Sequence, residues 1–411
     1  MSVVYDSNLL KKLTNTTTAV GFLFRVTNGA QAVMASLIAN HYLHMSDSVI
    51  GQIISVGSIA SLIVMSLMTF DFKIHKHSKF LWVSLSLGLL LIFLSGAVIS
   101  FAHDGLTFIL GILLLNIGNA LIIPTIITIV GMIGYKSVDK QFGTYTSALS
   151  LALFLSPAIQ AGILALTSQN LRLAILISAF PALLALIATI MKVSAIEFIR
   201  AIRQNESKTI RDNKTFNFFR SSPCLKAVMT LLMFEIPFEV ITVYGGLLGR
   251  KMEHLSYSEI ALAFSLLFFI SLICRLTFAT TTHLNKVQIL IATASVTTFI
   301  SMIGFSFNNV YFYYLSMAIF GVGHGITYPL GLSIIRKNVP IEFVRRANST
   351  LSTINQLSAV VVPAALGFEI VKIGYLDSFL SVSISVCLFG ILAFLFSVHF
   401  KGDQQSKLSS K

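Results

Sequence analysis

Long apolar runs separated by short polar stretches set the pattern of this chain. Twelve runs are long enough to cross the hydrocarbon core of a bilayer as helices, which takes about 20 apolar residues each. They lie at 18–42, 48–70, 80–101, 107–131, 144–167, 172–192, 224–247, 257–280, 287–307, 311–335, 348–371 and 376–400. Backbone groups in lipid must be paired within the segment, so each run is predicted to be an α-helix. We therefore predict an all-α integral membrane protein with twelve transmembrane helices.

The composition agrees with a bilayer environment. Hydrophobic residues make up 55% and charged residues 11% of the 411 positions, whereas soluble domains carry about 25% charged residues. The net charge of +13 could indicate a nucleic-acid partner, but the basic residues are scattered between the apolar runs and form no continuous stripe. We therefore expect the lipid bilayer, and no nucleic acid, as a partner. The three cysteines are too far apart for a disulfide framework or a metal cluster, and we expect no cofactor and no metal.

The basic residues are distributed unevenly between the two sides of the predicted membrane. Between helices on one side the chain has only Arg172, Arg250, Lys251 and Lys372, whereas the other side holds most of the remaining Lys and Arg. Short loops rich in Lys and Arg stay in the cytoplasm. We therefore predict an even number of spans, a location in the cytoplasmic (plasma) membrane, and both termini in the cytoplasm.

The pattern also divides into two halves. Residues 1–192 and 224–411 each contain six predicted spans, and the basic segment 193–223 joins them. This segment fits either an amphipathic helix on the anionic cytoplasmic leaflet or a solvated tether. Pro124 in the first half corresponds to Pro329 in the second at an offset of 205 residues, within an ordered series of such matches. We predict two pseudo-symmetric six-helix bundles, an architecture used for alternating access.

The tenth run carries the residues of a family signature. Gly321 and Gly323 precede Pro329, and Arg345 and Arg346 follow. Together with the duplicated six-span halves, this pattern resembles the major facilitator superfamily over the whole chain. The resemblance implies a transporter that works by alternating access and is a monomer.

The loop after the second run keeps two residues of that family's cytoplasmic loop motif, Asp71 and Lys76. The resemblance implies a gate in which Asp71 pairs with a basic residue or a helix N-terminus in one state only. Charges at a membrane surface also need no partner, so a solvated loop is the alternative. Arg275, near the cytoplasmic end of the eighth run, is expected to anchor the loop or a gate. The arginine often found in the fourth helix of proton-coupled members would fall at Ile112 and is missing.

Arg25 is a cation inside a predicted span, about two turns into the first run. An ionisable group at this depth costs about 2.5–3.5 kcal/mol and usually faces a cavity or a partner. The guanidinium of Arg25 could hold an anionic group of a solute, or a carboxylate, through two parallel hydrogen bonds. A permanent ion pair, or a side chain that reaches the cytoplasmic headgroups, is the alternative.

Glu235 and Glu239 lie four residues apart on one face of the seventh run and flank Pro237. Burial disfavours the ionised form of a carboxylate, so one of the two could load and release a proton during transport. A carboxylate locked to Arg25 or Arg275 is the alternative. Glu235 follows Arg25 by 210 residues, so these two are expected at equivalent places in the two halves, on helices that line the central cavity in the family.

Neutral polar residues inside the spans are the remaining candidates: Asn28 in the first run, Asn116 and Asn119 in the fourth, and His324 in the tenth. Amides can orient polar groups of a solute, and a histidine can titrate near neutral pH. Hydrogen bonds that hold the helices together are the alternative for each residue.

These features predict a secondary transporter that moves a small organic solute by alternating access, with protons as the candidate coupling ion. A transport-like sensor or scaffold that binds without translocating is the alternative. A membrane-embedded enzyme is disfavoured, because the chain has no nucleophile–base pair and no metal-spaced cluster. It also has no phosphate-binding loop of the kind that an ATP-driven pump requires.

Overall fold

The computed structural model describes residues 7–70, 78–132, 138–192, 218–281, 287–339 and 341–409. Within these ranges the regular structure is helical, with no strand. The helices are α1 (Ser7–Leu43), α2 (Asp47–Phe70), α3 (Ser78–Ser100), α4 (Gly105–Met132), α5 (Val138–Leu166), α6 (Leu171–Lys192), α7 (Ser222–Val240), α8 (Gly246–Lys251), α9 (Tyr257–Thr281), α10 (Val287–Gly304), α11 (Val310–Asn338) and α12 (Ile341–Ser409). A short 3-10 turn, Phe218–Arg220, precedes α7, and a π-helical turn, Ile241–Gly245, joins α7 to α8.

Ten of the described helices are long and apolar enough to cross a membrane. The prediction of an all-α, multi-pass membrane protein is therefore confirmed. Most helix ends lie within a few residues of the predicted runs, although α1 and α5 begin earlier, at Ser7 and Val138. α7 is not among the ten, and it carries Lys226, Glu235 and Glu239 within 19 residues.

Two helices depart from regular geometry at identifiable residues. Pro237 lies inside α7, and four residues later the helix widens into the π turn. Proline has no N–H and crowds the preceding turn, and π turns are frequent at functional sites. α12 is broken at Gly374, whose φ of 84° and ψ of 174° lie in a region that favours glycine. The residues before and after Gly374 therefore form two separate helices.

The chain packs as two compact units. The first unit comprises Met1–Ser46, Val56–Arg211 and Ser256–Ser265, and the second comprises Asp47–Ser55, Asp212–Leu255 and Leu266–Lys411. The start of α2 thus belongs to the second unit, and the start of α9 belongs to the first. Residues 193–217 of the predicted linker 193–223 lie outside the described residues, so the choice between an amphipathic helix and a tether stays open.

Two helices in each unit contact several others. In the first unit α1 packs against α5 and α6, and α3 packs against α4 and α6. A Cβ on Gly88 of α3 would lie 3.1 Å from the carbonyl oxygen of Gly118 in α4, so these backbones approach closely because both residues are glycine. In the second unit α7 and α10 both pack against α11 and α12. α1 and α7 therefore position most of the polar residues described next.

Candidate functional site

α1 and α4 are joined by a pair of amides in the first unit. Asn119, on α4, donates from Nδ2 to Oδ1 of Asn28, on α1, at 2.9 Å. Asn28 is buried and Asn119 is half-buried. The structure therefore brings together two residues predicted for the site, as a neutral hydrogen bond between helices.

Further hydrogen bonds attach α1 to its other neighbours. The buried Gln31 donates to the carbonyl oxygen of Ile92 at 3.1 Å and accepts from Ser95 Oγ at 2.8 Å. From α5, Ser156 and Gln160 donate to carbonyl oxygens of α1 at 2.6 and 3.1 Å. The partners in this network could not be predicted from the sequence, because single hydroxyls and amides in apolar helices have no spacing that marks their partners.

Arg25 lies on α1 three residues before Asn28 and is half-buried. One turn earlier on α1, Phe22 lines a cavity of about 400 Å³ between α1 and α5, which is within the size range of small-molecule sites. Its lining combines hydroxyl, amide and apolar groups from the two helices: Thr14, Asn15, Thr18, Ala19, Phe22, Thr144, Ala148 and Leu151.

Asn116 makes a different contact from the amide pair. Its Nδ2 donates to the carbonyl oxygen of Ile112, in its own helix, at 3.0 Å. The same nitrogen would lie 2.6 Å from a Cβ placed on Gly57 of α2. Within the described part of the chain, Asn116 thus supports the packing of α4 on α2 and is not bonded to Asn28 or Asn119.

His324, on α11 in the second unit, lies between a guanidinium and aromatic rings. Nη2 of Arg275, on α9, is 3.2 Å from Nε2 of His324. The imidazole stacks on Phe238 with centroids 4.9 Å apart and on Phe234 at 5.2 Å, and it meets the edge of Phe268 at 5.5 Å. A guanidinium can only donate, so this hydrogen bond assigns the acceptor role to Nε2 and the ring proton to Nδ1. We call these five residues the histidine cluster.

Glu235 and Glu239 lie beside the histidine cluster on α7, and both are half-buried. Each directly follows a phenylalanine that stacks on His324. α7 therefore presents two adjacent stripes with i, i+4 spacing, one of phenyl rings that contact His324 and one of carboxylates about 100° further round the helix.

Of the three residues predicted for gating, the structure describes only Arg275. Arg275, predicted to anchor a loop or a gate, contacts His324, which was predicted for solute binding or coupling. Asp71 and Lys76 lie outside the described residues, so their proposed gate stays a prediction.

Comparisons with known proteins agree with this architecture. The model of the Major Facilitator Superfamily matches residues 17–363 and, a second time, residues 251–410. No curated protein matches the chain. A mutant of the nucleoside transporter NupG superposes with a TM-score of 0.73 at 12% identity, covering 93% of this chain and 99% of that one.

Two other solved structures are similar to the same degree. A mutant of the peptide transporter POT has a TM-score of 0.72 at 16% identity and covers 94% of both chains. A bacterial homologue of the human lysosomal transporter Spinster, inward-facing and unoccupied, has a TM-score of 0.68 at 14% identity, covering 98% of this chain and 99% of that one. At these identities the similarity concerns the fold alone. Because the family model covers nearly the whole length and the helical fold agrees with it, the chain belongs to the Major Facilitator Superfamily.

Proposed function

We propose that this protein is a secondary transporter that moves a small organic solute across the cytoplasmic membrane by alternating access, with protons as the coupling ion. The observation that carries the proposal is that Glu235 and Glu239 directly follow the two phenylalanines that stack on His324, which Arg275 contacts. Ionisable groups at membrane depth are costly and persist where they face a solute, water or a partner. Membership of a transporter family supports the same function.

The proposed topology has twelve spans in two six-helix halves, residues 1–192 and 224–411, with both termini in the cytoplasm. Two features of the helices support it. α7, the π turn and α8 follow one another without a loop and supply one span beyond the ten, and Gly374 divides α12 into two. The charge distribution between helices supports the cytoplasmic placement of the termini. The protein is proposed to act as a monomer.

Arg25 and His324 are the proposed solute contacts. A guanidinium binds anionic and carbonyl groups, and an imidazole between phenyl rings combines a polar edge with apolar surface. Each is proposed by itself, Arg25 within the first unit and His324 within the second, and a solute with a polar group next to an apolar part suits the imidazole and its phenyl rings. The hydrogen bond between Asn28 and Asn119 supports a different role for the amides, namely to hold α1 and α4 at a fixed distance.

Glu235 and Glu239 are the proposed proton carriers. Two carboxylates one helical turn apart repel each other when both are ionised, and the repulsion is stronger in a low dielectric than in water. One proton shared between them relieves the repulsion. Release of that proton on one side of the membrane and uptake on the other would couple the solute to the proton gradient.

A ligand screen followed by flux measurements tests the proposal. A solute that binds only the folded protein raises its melting temperature in detergent. Nucleosides and short peptides come first in the panel, because structurally similar transporters are named for them. The solute found is then offered to proteoliposomes. Entry into the vesicles supports transport, whereas binding without entry contradicts it and favours a sensor or scaffold.

A further inference from the structure

The start of α2 carries a polar stripe that belongs to the second unit. Asp47, Gly51 and Ser55 recur every four residues and therefore share one face of the helix. All three are buried, and Asp47 is only 9% exposed although it is charged. From Val56 onward α2 belongs to the first unit. The stripe thus lies within Asp47–Ser55, the part of α2 that belongs to the second unit.

Asp47 is held by two side chains of the second unit. Lys251, the last residue of α8, donates from Nζ to both carboxylate oxygens at 2.8 and 2.9 Å. The hydroxyl group of Tyr375, just after the break in α12, donates to Oδ1 at 2.7 Å. Nζ of Lys251 also lies 5.4 Å from the centroid of the Tyr375 ring. The carboxylate therefore has three charge-assisted hydrogen bonds in a buried place.

The start of α2 also lies close to Tyr244 and to the backbone at Pro363. The hydroxyl group of Tyr244, in the π turn, is 2.6 Å from the carbonyl oxygen of Pro363 and 3.1 Å from that of Asp47. A Cβ on Gly51 would collide with that hydroxyl group and with the Pro363 carbonyl. The contact therefore requires glycine at position 51, and it consists of polar groups and backbone with no large apolar side chain from the stripe.

We propose that Asp47, Lys251 and Tyr375 form an ionic latch, which holds the start of α2 in the second unit in this conformation and opens during the transport cycle. The Lys251 side chain is 33% exposed, and an ion pair that is only partly buried adds little net stability compared with an apolar contact of the same size. Once separated, both charges are hydrated, and a stripe of glycine and serine exposes little apolar surface to water. Such a contact is satisfied when closed, and little free energy is needed to open it.

The latch lies at the end of the protein that the charge distribution predicts to be external. Lys251 and Lys372 are among the few basic residues between helices on that side. Opening of the latch is therefore proposed to admit water to α2 from outside. This inference depends on the proposed alternating-access function.

Ser55 provides a reporter for the latch. Its Oγ accepts the backbone N–H of Ala364 at 3.2 Å, and its side chain is buried in this conformation. Ser55→Cys is introduced into the full-length protein in proteoliposomes and labelled with a membrane-impermeant maleimide added to one side at a time. The native cysteines are first replaced by alanine: Cys224, Cys274 and Cys387.

Opening the latch should expose this reporter. Asp47→Asn and Lys251→Gln are each expected to raise the labelling rate at position 55 about tenfold or more from the external side, the size of a typical coupling between conformations. Tyr375→Phe, which removes one oxygen, should give a smaller increase. Asp377→Asn makes the same chemical change at an exposed position of α12 and should leave the rate unchanged.

Labelling rates that stay at the parent value in the Asp47→Asn and Lys251→Gln variants would overturn the latch. If either variant fails to elute as a folded, monodisperse protein, Tyr375→Phe decides by the same criterion. The labelling needs no solute, so it separates the two proposals. Unchanged labelling together with solute flux removes the latch alone, and raised labelling without any flux removes transport alone.

Discussion

α1 and α7 carry Arg25 and Glu235, which lie 210 residues apart in the sequence, and the polar neighbours of these two helices differ in kind. α1 is attached to its neighbours by neutral amides and hydroxyls, with Asn28 bonded to Asn119. α7 carries two carboxylates and packs its phenyl rings on a histidine that is bonded to Arg275. Neutral hydrogen bonds do not depend on pH, whereas a carboxylate or a histidine can gain or lose a proton. We infer that the amides and hydroxyls around α1 fix the shape of their unit and that the carboxylates of α7 respond to protons.

The largest effect is expected from the carboxylates of α7. Glu235→Gln combined with Glu239→Gln keeps the shape and removes both titrations. A pH difference of two units can drive about 100-fold accumulation with one proton per solute, because one unit is worth about 1.4 kcal/mol. We expect this accumulation in the parent, measured with labelled solute in proteoliposomes, and only equilibration in the double variant.

Glu369→Gln is the matched control, because it makes the same change at a half-buried position of α12. It should accumulate the solute as the parent does. Parent-like accumulation in the double variant would show that the α7 carboxylates do not carry the coupling proton.

An intermediate effect is expected at the contact between Arg275 and His324. His324→Phe keeps a ring to stack on Phe238 but removes the acceptor of a charged hydrogen bond, which is worth about 1.5–3 kcal/mol. Uptake at low solute concentration should therefore fall about tenfold or more. Because both residues act through one bond, Arg275→Gln together with His324→Phe should lose little more than either change alone. Losses that multiply in the double variant would mean that the two residues act independently.

A smaller effect, on stability, is expected on the α1 side. Asn28→Ala leaves the Asn119 amide without this acceptor inside the unit, which costs about 1–3 kcal/mol. The melting temperature in detergent should fall, while Asn308→Ala, at an exposed position, should leave it unchanged. Uptake per folded molecule should suffer less than in His324→Phe. The reverse order would assign solute contact to the amides and contradict the comparison between the two sides.

The smallest effect is expected at two N-terminal helix caps that lie 205 residues apart in the sequence. Asp104 caps α4 by accepting the N–H of Thr107 at 2.8 Å, and Asn309 caps α11 by accepting that of Tyr311 at 2.9 Å. The hydrogen bonds from the backbone and hydroxyl of Thr107 lower the pKa of the Asp104 carboxyl. Its contribution to stability is therefore present above pH about 4 and is lost as the pH falls through the lowered pKa.

Melting temperatures of the parent and of Asp104→Asn, recorded from neutral pH down to pH about 3, test this cap. The difference between the two proteins should change in the acid range, because only the carboxyl titrates. A difference that is independent of pH would show that the cap carries no charge effect. Asn309→Ala should shift the melting temperature without any such dependence on pH.

The helices could be predicted because a membrane span needs only local information. A run of about 20 apolar residues is enough, and the runs agree with most of the observed helices. The grouping of the start of α2 with the second unit could not be predicted in this way. Asp47 stands at the edge of an apolar run and has the sequence features of an ordinary loop residue, and its partner Lys251 is 204 residues away.

The candidate residues could be picked out of the sequence one by one, but their arrangement could not. Arg275 and His324 each stood out as ionisable groups in apolar runs, yet nothing in their spacing indicates that one donates to the other. The stacking of His324 on Phe234 and Phe238 depends on how α7 packs against α11, which a linear pattern does not contain.

Proton movement during solute entry tests the central claim most directly. Proteoliposomes loaded with a pH-sensitive dye are mixed with the solute, without an imposed pH gradient, and the internal pH is followed as the solute enters. We predict that the internal pH of the parent changes in step with solute entry, and that the variant with Glu235→Gln and Glu239→Gln admits solute with no change of pH. Solute entry into parent vesicles at constant internal pH would contradict the account.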